Sequence, residues 1–416
     1  MIEKLIKMMH TLIRVWQRKG TEKTGSEIKE STREVQVHSG VSRLTEQVTS
    51  FLQANYDFRF NLLTEETEFC SLNDSEQGFI PIGRRELNTF CMEAHVQGIP
   101  CWDKDISRYI FSTHIGEYHP FRLYMNELPA WDGVDRVTPL AKRVSELPLW
   151  VSGFHTWLLG LTAQWEGVVQ IHANSVAPLL ISSEQGKQKS TFCKSLMPEP
   201  LRRYYFDNFK LTSEAQAERL LAEMGLINLD EFDKYASGKM PVLKNLMQMS
   251  SLTVCKAYQR NFRSLPRIAS FIGTSNRFDL LNDPTGSRRF LCVKVENPID
   301  CDGIEHSQLF AQLKAELKQG AAYWFTHEAE CAWQRNNSGF YKSSLVEDVF
   351  YSCFRLPQAG EESERLSAAD IFKELKNRNA AALRAFNPSL LAQILLKLGA
   401  ERKHTECGNV YEVVRC

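Results

Sequence analysis

Four short, almost wholly apolar runs constrain this chain more than anything else in it: Val176–Ile181, Leu226–Leu229, Ile268–Gly273 and Phe290–Val295. None alternates apolar and polar residues as a strand with one wet face does, so each reads as a strand covered on both faces. Helical stretches intervene. One starts at Ser190 and ends by Pro198, and another, capped by Thr212 or Ser213, runs through Ala215 to Glu223. This strand–loop–helix rhythm predicts an α/β core with a largely parallel sheet.

The ends of these strands carry the chemistry. The run Gly225-Leu226-Ile227-Asn228-Leu229 delivers Asp230 and then Glu231. Upstream lies a lysine-rich loop, Ser183-Glu184-Gln185-Gly186-Lys187-Gln188-Lys189-Ser190-Thr191. A loop that cradles phosphates, followed by one acid for magnesium and one to polarise a water, is the order a Mg2+–nucleoside triphosphate site needs. The usual loop is G-x-x-x-x-G-K-[ST], whose glycines let backbone amides approach phosphate. Aligned on Lys189-Ser190, Ser183 and Gln188 replace the two glycines and Gly186 falls inside. Alignment on Gly186-Lys187 is worse, because Gln188 then takes the magnesium hydroxyl's place. In the better register Lys189 reaches the β- and γ-phosphates and Ser190 the metal, while a Cβ at position 188 crowds the loop and lowers the expected affinity or turnover.

Two further segments follow in order. Ile272-Gly273-Thr274-Ser275-Asn276 puts an amide at a strand tip, where Asn276 can orient the lytic water or sense the γ-phosphate. Asp283-Pro284-Thr285-Gly286-Ser287-Arg288-Arg289-Phe290 sends paired arginines into a strand, from which they can project into a neighbouring subunit. Read alone, the first is a turn and the second a solvated rim; their joint order gives them weight, since ligands gather at the carboxyl edge of parallel sheets. Between them, Val254-Cys255-Lys256-Ala257-Tyr258-Gln259-Arg260-Asn261-Phe262-Arg263 interleaves cations with aromatics. It reads equally as a solvated hairpin or as a loop in which Lys256, Arg260 and Arg263 track a nucleic-acid backbone.

The rest of the chain is framed around that core. At 416 residues it is too long for one ordinary domain. Its 50 basic and 50 acidic side chains cancel, so any affinity for nucleic acid must come from local patches. Eleven cysteines without a C-x-x-C pair argue against a zinc site and a disulfide framework, and fit a reducing cytoplasm. Charges at Glu3, Lys4, Lys7 and Arg14 break the apolar start, which is neither a signal peptide nor a membrane span. The expected layout is an amphipathic and charged tail over 1–40, a mainly helical domain over 41–150, the core over 151–325 and a small helical domain over 326–416. In the last, helices opening at Ser367 and Asn387 precede a hairpin over Lys403–Val414, the pattern of a winged helix-turn-helix.

The chain resembles the virulence-associated protein E family of P-loop proteins, related to phage and plasmid primase-helicases and superfamily 3 helicases. The resemblance covers roughly residues 115 to 325. It rests on Leu128-Pro129-Ala130-Trp131-Asp132-Gly133-Val134-Asp135-Arg136, on Glu184-Gln185-Gly186 through Lys189-Ser190-Thr191, and on Leu229-Asp230-Glu231. Ser270 to Asn276 and Asp283 to Phe290 complete it. It implies an AAA+-like core that assembles into a homo-oligomeric ring and serves replication of a mobile element or prophage. By it Lys189, Ser190, Asp230, Glu231 and Asn276 take the ATP and Mg2+ site roles, with Arg288 or Arg289 as the trans finger; Gly186, Lys187, Gln188 and Thr191 complete the loop expected to hold the nucleotide. No primase segment is evident, so a primase would be a separate chain. The expected activity is an ATP-driven motor on single-stranded or forked DNA. The rivals are a poorly hydrolysing assembly switch and a DNA-binding regulator with a vestigial loop.

Overall fold

The apolar runs form strands of one parallel sheet in the computed structural model, which describes residues 43–73, 78–167, 172–211, 213–235, 237–255, 262–281, 287–341, 345–358, 361–384, 386–405 and 408–416. The chain divides into two compact units, one ending at Leu123 and one running from Tyr124 to Cys416.

In the first unit, helix α1 over 43–55 leads into β1 (Tyr56–Asn61), which pairs antiparallel with β2 (Glu66–Ser71). β3 (Ile80–Pro81) follows, then α2 (Arg84–Val96), α3 (Asp103–Ile110) and β4 (Glu117–Tyr118), giving a sheet in the order β3-β2-β1-β4. Val48, Phe51 and Leu52 of α1 share a core with Phe90 and Ala94 of α2 and Ile106 and Ile110 of α3. Within the stretch read as mainly helical, 41–150, the chain forms these helices together with a four-stranded sheet. Its central strands mix Arg59, Asn61 and Glu68 with phenylalanines and so show no clean period of two. Glu68 is fully buried, and its carboxylate accepts from Arg59 Nε at 2.9 Å, Asn61 Nδ2 at 3.1 Å and Tyr118 Oη at 2.6 Å. Those three donors offset the cost of taking the charge out of water.

Helix α4 (Pro120–Glu127) contains the Leu123–Tyr124 division, and the second unit continues with α5 (Val137–Lys142) and α6 (Pro148–Glu166). Its sheet comprises β5 (Ala177–Ile181), β6 (Tyr205–Phe206), β7 (Leu226–Leu229), β10 (Ser270–Ser275) and β11 (Phe290–Lys294), all parallel, in the order β11-β5-β10-β7-β6. Between them come α7 (Lys189–Ser195), α8 (Glu214–Glu223), α9 (Met240–Gln248) and an antiparallel hairpin of β8 (Ser251–Cys255) and β9 (Phe262–Pro266). Pro178 sits in the second position of β5, where only β11 is in register; pairing with β10 starts at Leu179. A proline lacking its N–H is tolerated there because only one side carries a ladder.

α6 is apolar nearly all round because it is buried nearly all round. Its polar tips reach backbone oxygens in and beside the sheet: Trp157 Nε1 donates to Phe271 O at 3.1 Å, and Gln164 Nε2 to Ala269 O at 3.1 Å. Arg267, 1% exposed, enters the same layer and donates to carbonyls of Ala269 (2.7 Å), Met247 (2.5 Å) and Asn174 (3.0 Å). Burial pulls its guanidinium down to about 9. The Trp131–Arg136 turn is fastened to α10 (His306–Lys318), with Arg136 N donating to Gln312 Oε1 at 2.7 Å and its guanidinium bridging Asp132 and Glu305.

After α11 (His327–Asn336) comes a separate small core of α12 (Leu345–Tyr351), β12 (Phe354–Arg355), β13 (Glu364–Ser367), α13 (Ala368–Arg378), α14 (Pro388–Lys397), β14 (Arg402–Thr405) and β15 (Gly408–Arg415). Ser367 and Asp370 form the capping box that opens α13, and Asn387 Oδ1 accepts from Leu390 N at α14. β14 and β15 are the antiparallel terminal hairpin. Among the described residues no helix is long and apolar enough to cross a membrane.

Candidate functional site at the carboxyl edge of the sheet

Register brings three strand ends side by side: Ser275 of β10 lies opposite Ile181 of β5, and Gly273 opposite Leu229 of β7. β5 is also where the chain's path across the sheet reverses, because later strands add first on its β10 side and then on its β11 side. A crevice for ligands opens at such a reversal, outside the carboxyl ends.

The loop leaving β5 turns on two left-handed residues, Gly186 (φ +80°) and Gln188 (φ +59°). Glycine takes that conformation freely, whereas a Cβ costs roughly 1–2 kcal/mol. Position 188 therefore asks for the glycine that the sequence lacks. The two lysines are separated by their partners. Lys187 Nζ donates to Glu296 O at 2.9 Å and pairs with Glu184 at 2.8 Å, tying the loop to the exit of β11. Lys189 is 8% exposed and turns inward, its ammonium donating to Asn276 Oδ1 at 3.0 Å, Ser182 O at 3.3 Å and Glu184 O at 3.4 Å. Burial lowers its pKa, partly opposed by the Asp230 carboxylate.

Asp230 Oδ1 accepts from Ser190 Oγ at 2.9 Å and from Thr274 Oγ1 at 2.5 Å. Glu231 is left-handed (φ +50°), with its amide 3.4 Å from Thr274 Oγ1 and its carboxylate 2.6 Å from Lys234 Nζ. Beside this, Ser275 Oγ donates to Asp233 at 2.9 Å. Thr274, Ser275 and Asp233 are the residues that sequence reading passed over. The strand tip Gly273-Thr274-Ser275-Asn276 held the signal, because two hydroxyls at the end of a buried strand must find acceptors. A cleft of about 480 Å³ adjoins the two acids and is lined by Asp207, Lys210, Lys234, Tyr235 and Lys239 as well. It opens on the β6–β7 side rather than at the Lys189 loop.

Lys189, Ser190, Asp230, Glu231 and Asn276 thus come together, with Gly186, Lys187 and Gln188 in the adjoining loop. Thr191 follows on α7 and is exposed. Arg288 and Arg289 do not join them. Phe290 pairs with Ala177, the first residue of β5, so both arginines lie at the amino edge, opposite Lys189 in the same chain. They precede their strand rather than follow it, and this corrects the placement of all four motifs at one edge. Arg288 pairs with Glu330 of α11 at 3.2 Å. Lys256 and Arg260 lie outside the described residues, and Arg263 falls in β9 opposite Val254.

A family model for the virulence-associated protein E-like domain matches residues 125–342. A second, for a domain of unknown function from a B. theta gene description (DUF3874), matches residues 343–413. No curated protein matches the chain. Apo structures of the NrS-1 C-terminal region align over 89% of this chain and 98% of theirs, at 11% identity and a TM-score of 0.44. A further A-form apo structure of that region aligns at 12% identity and 0.39.

Proposed function

The chain belongs to the virulence-associated protein E-like family, and on that premise we propose that it is an ATP-driven motor acting on DNA during replication of a mobile element. The observation that carries this is the pairing of Lys189 with Asn276 and of Ser190 with Asp230 at one edge of a parallel sheet. The AAA+-like reading is supported by the reversal of chain path at β5 and by a loop whose backbone is left-handed at the expected glycine.

Each residue has a role that its surroundings favour. The Lys189 ammonium is held only by neutral oxygens, which a phosphate oxygen can replace with a stronger charge-assisted bond. Ser190 Oγ and Asp230 Oδ1 stand 2.9 Å apart, close to the roughly 3 Å edge of an octahedron with 2.0–2.1 Å bonds, so the pair fits a magnesium ion. When bound, that ion neutralises charge on the phosphates. Glu231 is half-exposed and facing the cleft, suited to polarising a water once its link to Lys234 opens. Asn276 holds Lys189 and can read the γ-phosphate. Arg288 or Arg289, at the opposite edge, would serve a neighbouring subunit's site in a ring. The α13–α14–hairpin core reads as a winged-helix-like DNA or partner contact, and a primase is a proposed partner.

ATPase turnover with and without single-stranded or forked DNA tests this in the wild type, Lys189→Ala and Glu231→Gln. DNA-stimulated turnover that both substitutions abolish supports the motor. Wild-type turnover no higher than either variant refutes it. The strain at Gln188 favours one rival, a switch that binds ATP tightly and assembles without appreciable hydrolysis. Tight binding with no turnover on any DNA selects that rival.

A further inference from the structure

The first unit holds a cluster of soft donors that the nucleotide site does not use. Cys91 and His95 lie four residues apart on α2, so their side chains stack on one helix face. The helix then stops at Gly98, whose φ of +77° is left-handed; Gly98 N donates to His95 O and Ile99 N to Ala94 O. Pro100 follows, and the reversed chain carries Cys101 back onto the face it has just left. The two sulfurs and an imidazole nitrogen all lie within 4.8 Å of one another, with Cys91 Sγ 3.9 Å from His95 Nε2.

Those spacings match a specific coordination chemistry. A tetrahedral zinc with bonds of about 2.0 Å to nitrogen and about 2.3 Å to sulfur sets its donors roughly 3.6–3.8 Å apart. Side-chain rotations alone can close the difference, because the backbone turn has already brought the three residues together. Cys101 is buried, Cys91 half-buried and His95 exposed, so the cluster has a packed floor and an open side. His95 Nε2 now faces Cys101 O at 2.6 Å, and binding exchanges that contact for a metal–nitrogen bond. Asp105 cannot readily supply a fourth ligand, since it accepts from Trp102 N at 3.0 Å and pairs with Arg108.

We propose that Cys91, His95 and Cys101 form a site for a borderline-soft divalent cation of the zinc class, with water in the fourth position. Both thiols lose their protons to solvent on binding, and the cation pins the start of α3 to the end of α2. The absence of C-x-x-C pairs is no obstacle, because a cysteine and a histidine one helical turn apart with a returning cysteine supply the same donors.

Cobalt(II) titration of the full chain, reduced with a phosphine and stripped of metal, tests this. The expected result is one equivalent bound, with visible d–d bands of tetrahedral cobalt and a thiolate charge-transfer band that zinc displaces. Cys91→Ser and His95→Gln should each weaken binding by on the order of 100-fold. His95 is exposed, so His95→Gln should keep the wild-type circular dichroism even where a cysteine variant misfolds. Lys189→Ala serves as the control and should titrate as wild type. Absence of a thiolate band, or titrations that neither substitution changes, would overturn the assignment. So would a Cys91–Cys101 disulfide that re-forms in the presence of stoichiometric zinc.

Discussion

Ser190 Oγ donates a 2.9 Å hydrogen bond to Asp230 Oδ1, joining the first turn of α7 to the end of β7. The bond fixes the two groups at the separation adjacent ligands of magnesium require. Asp230→Asn keeps an oxygen acceptor for Ser190 and Thr274 but removes the charge. We expect its thermal midpoint to stay near wild type while Mg2+-dependent nucleotide affinity falls about 10–100-fold. Fluorescent-nucleotide titrations with and without Mg2+ measure this, and an unchanged Mg2+ dependence would count against the metal role.

The two loop lysines should behave differently. Lys189→Ala removes an inward cation and is expected to weaken nucleotide binding roughly 10–150-fold, the worth of one charge-assisted bond. Lys187→Ala, whose ammonium is occupied by Glu296 O and Glu184, should cost only a few-fold. The reverse ranking in the same titration would mean that the loop is read in the wrong register.

Gln188→Gly should relieve the left-handed backbone at position 188. Relief of roughly 1–2 kcal/mol is partly offset by the greater freedom of glycine in the unfolded chain, leaving a net gain of about 0.5–1 kcal/mol. Urea unfolding reads the stability, and a parallel titration should show tighter nucleotide binding. A loss on both counts would contradict the strain argument.

Arg267 holds the junction of β9 and β10 by donating to carbonyl oxygens, with its guanidinium 5.3 Å from the centroid of the Phe271 ring. Arg267→Met keeps much of the volume but takes its donors from the Met247 and Asn174 oxygens, leaving Ala269 O only Gln164 Nε2, so a loss of about 3 kcal/mol is expected in urea unfolding. Near-neutral behaviour would mean that the cage relaxes or admits water.

Acid should weaken the fold through two half-buried histidines. Burial, with the Arg122 guanidinium adding to it, brings His119 down from 6.5 to about 4, and burial also lowers His306. The unfolded chain therefore takes up protons that the folded chain refuses. Stability is full above about pH 6.5 and is lost as pH falls toward about pH 4. His119→Asn should flatten that decline by ~1 kcal/mol near the middle of the window, a figure already reduced for partial exposure. Urea midpoints across the window check it, and an unaltered slope in the variant would exclude His119 as the cause.

The sheet's long strands were legible because their burial on both faces leaves no choice of side chain but apolar ones. Leu226–Leu229 and Phe290 emerge where the sequence puts them, and Asp230 follows its strand as read. What escaped had a physical reason. β6 is two residues long, too short for any period. β1 and β2 carry a buried Glu68 whose neutralising partners come from Arg59, Asn61 and the distant Tyr118. Thr274 reads in the sequence as one more strand residue, yet its bond to Asp230 depends on β10 lying beside β7, which is a matter of pairing and not of local pattern. The arginines were assigned to the wrong edge for the same reason: order along a chain does not say at which end of a strand a loop is met.

The order of the strands also bears on how the second unit is made. β5 is synthesised before its two neighbours, β10 and β11, and waits for about a hundred residues of chain before both of its flanks are covered. Contacts so distant in sequence close slowly, and an apolar strand left bare meanwhile invites association with other chains. A ribosome-bound chain stopped short of Val295 should therefore be captured by a holdase chaperone, and let go once β11 has cleared the exit tunnel.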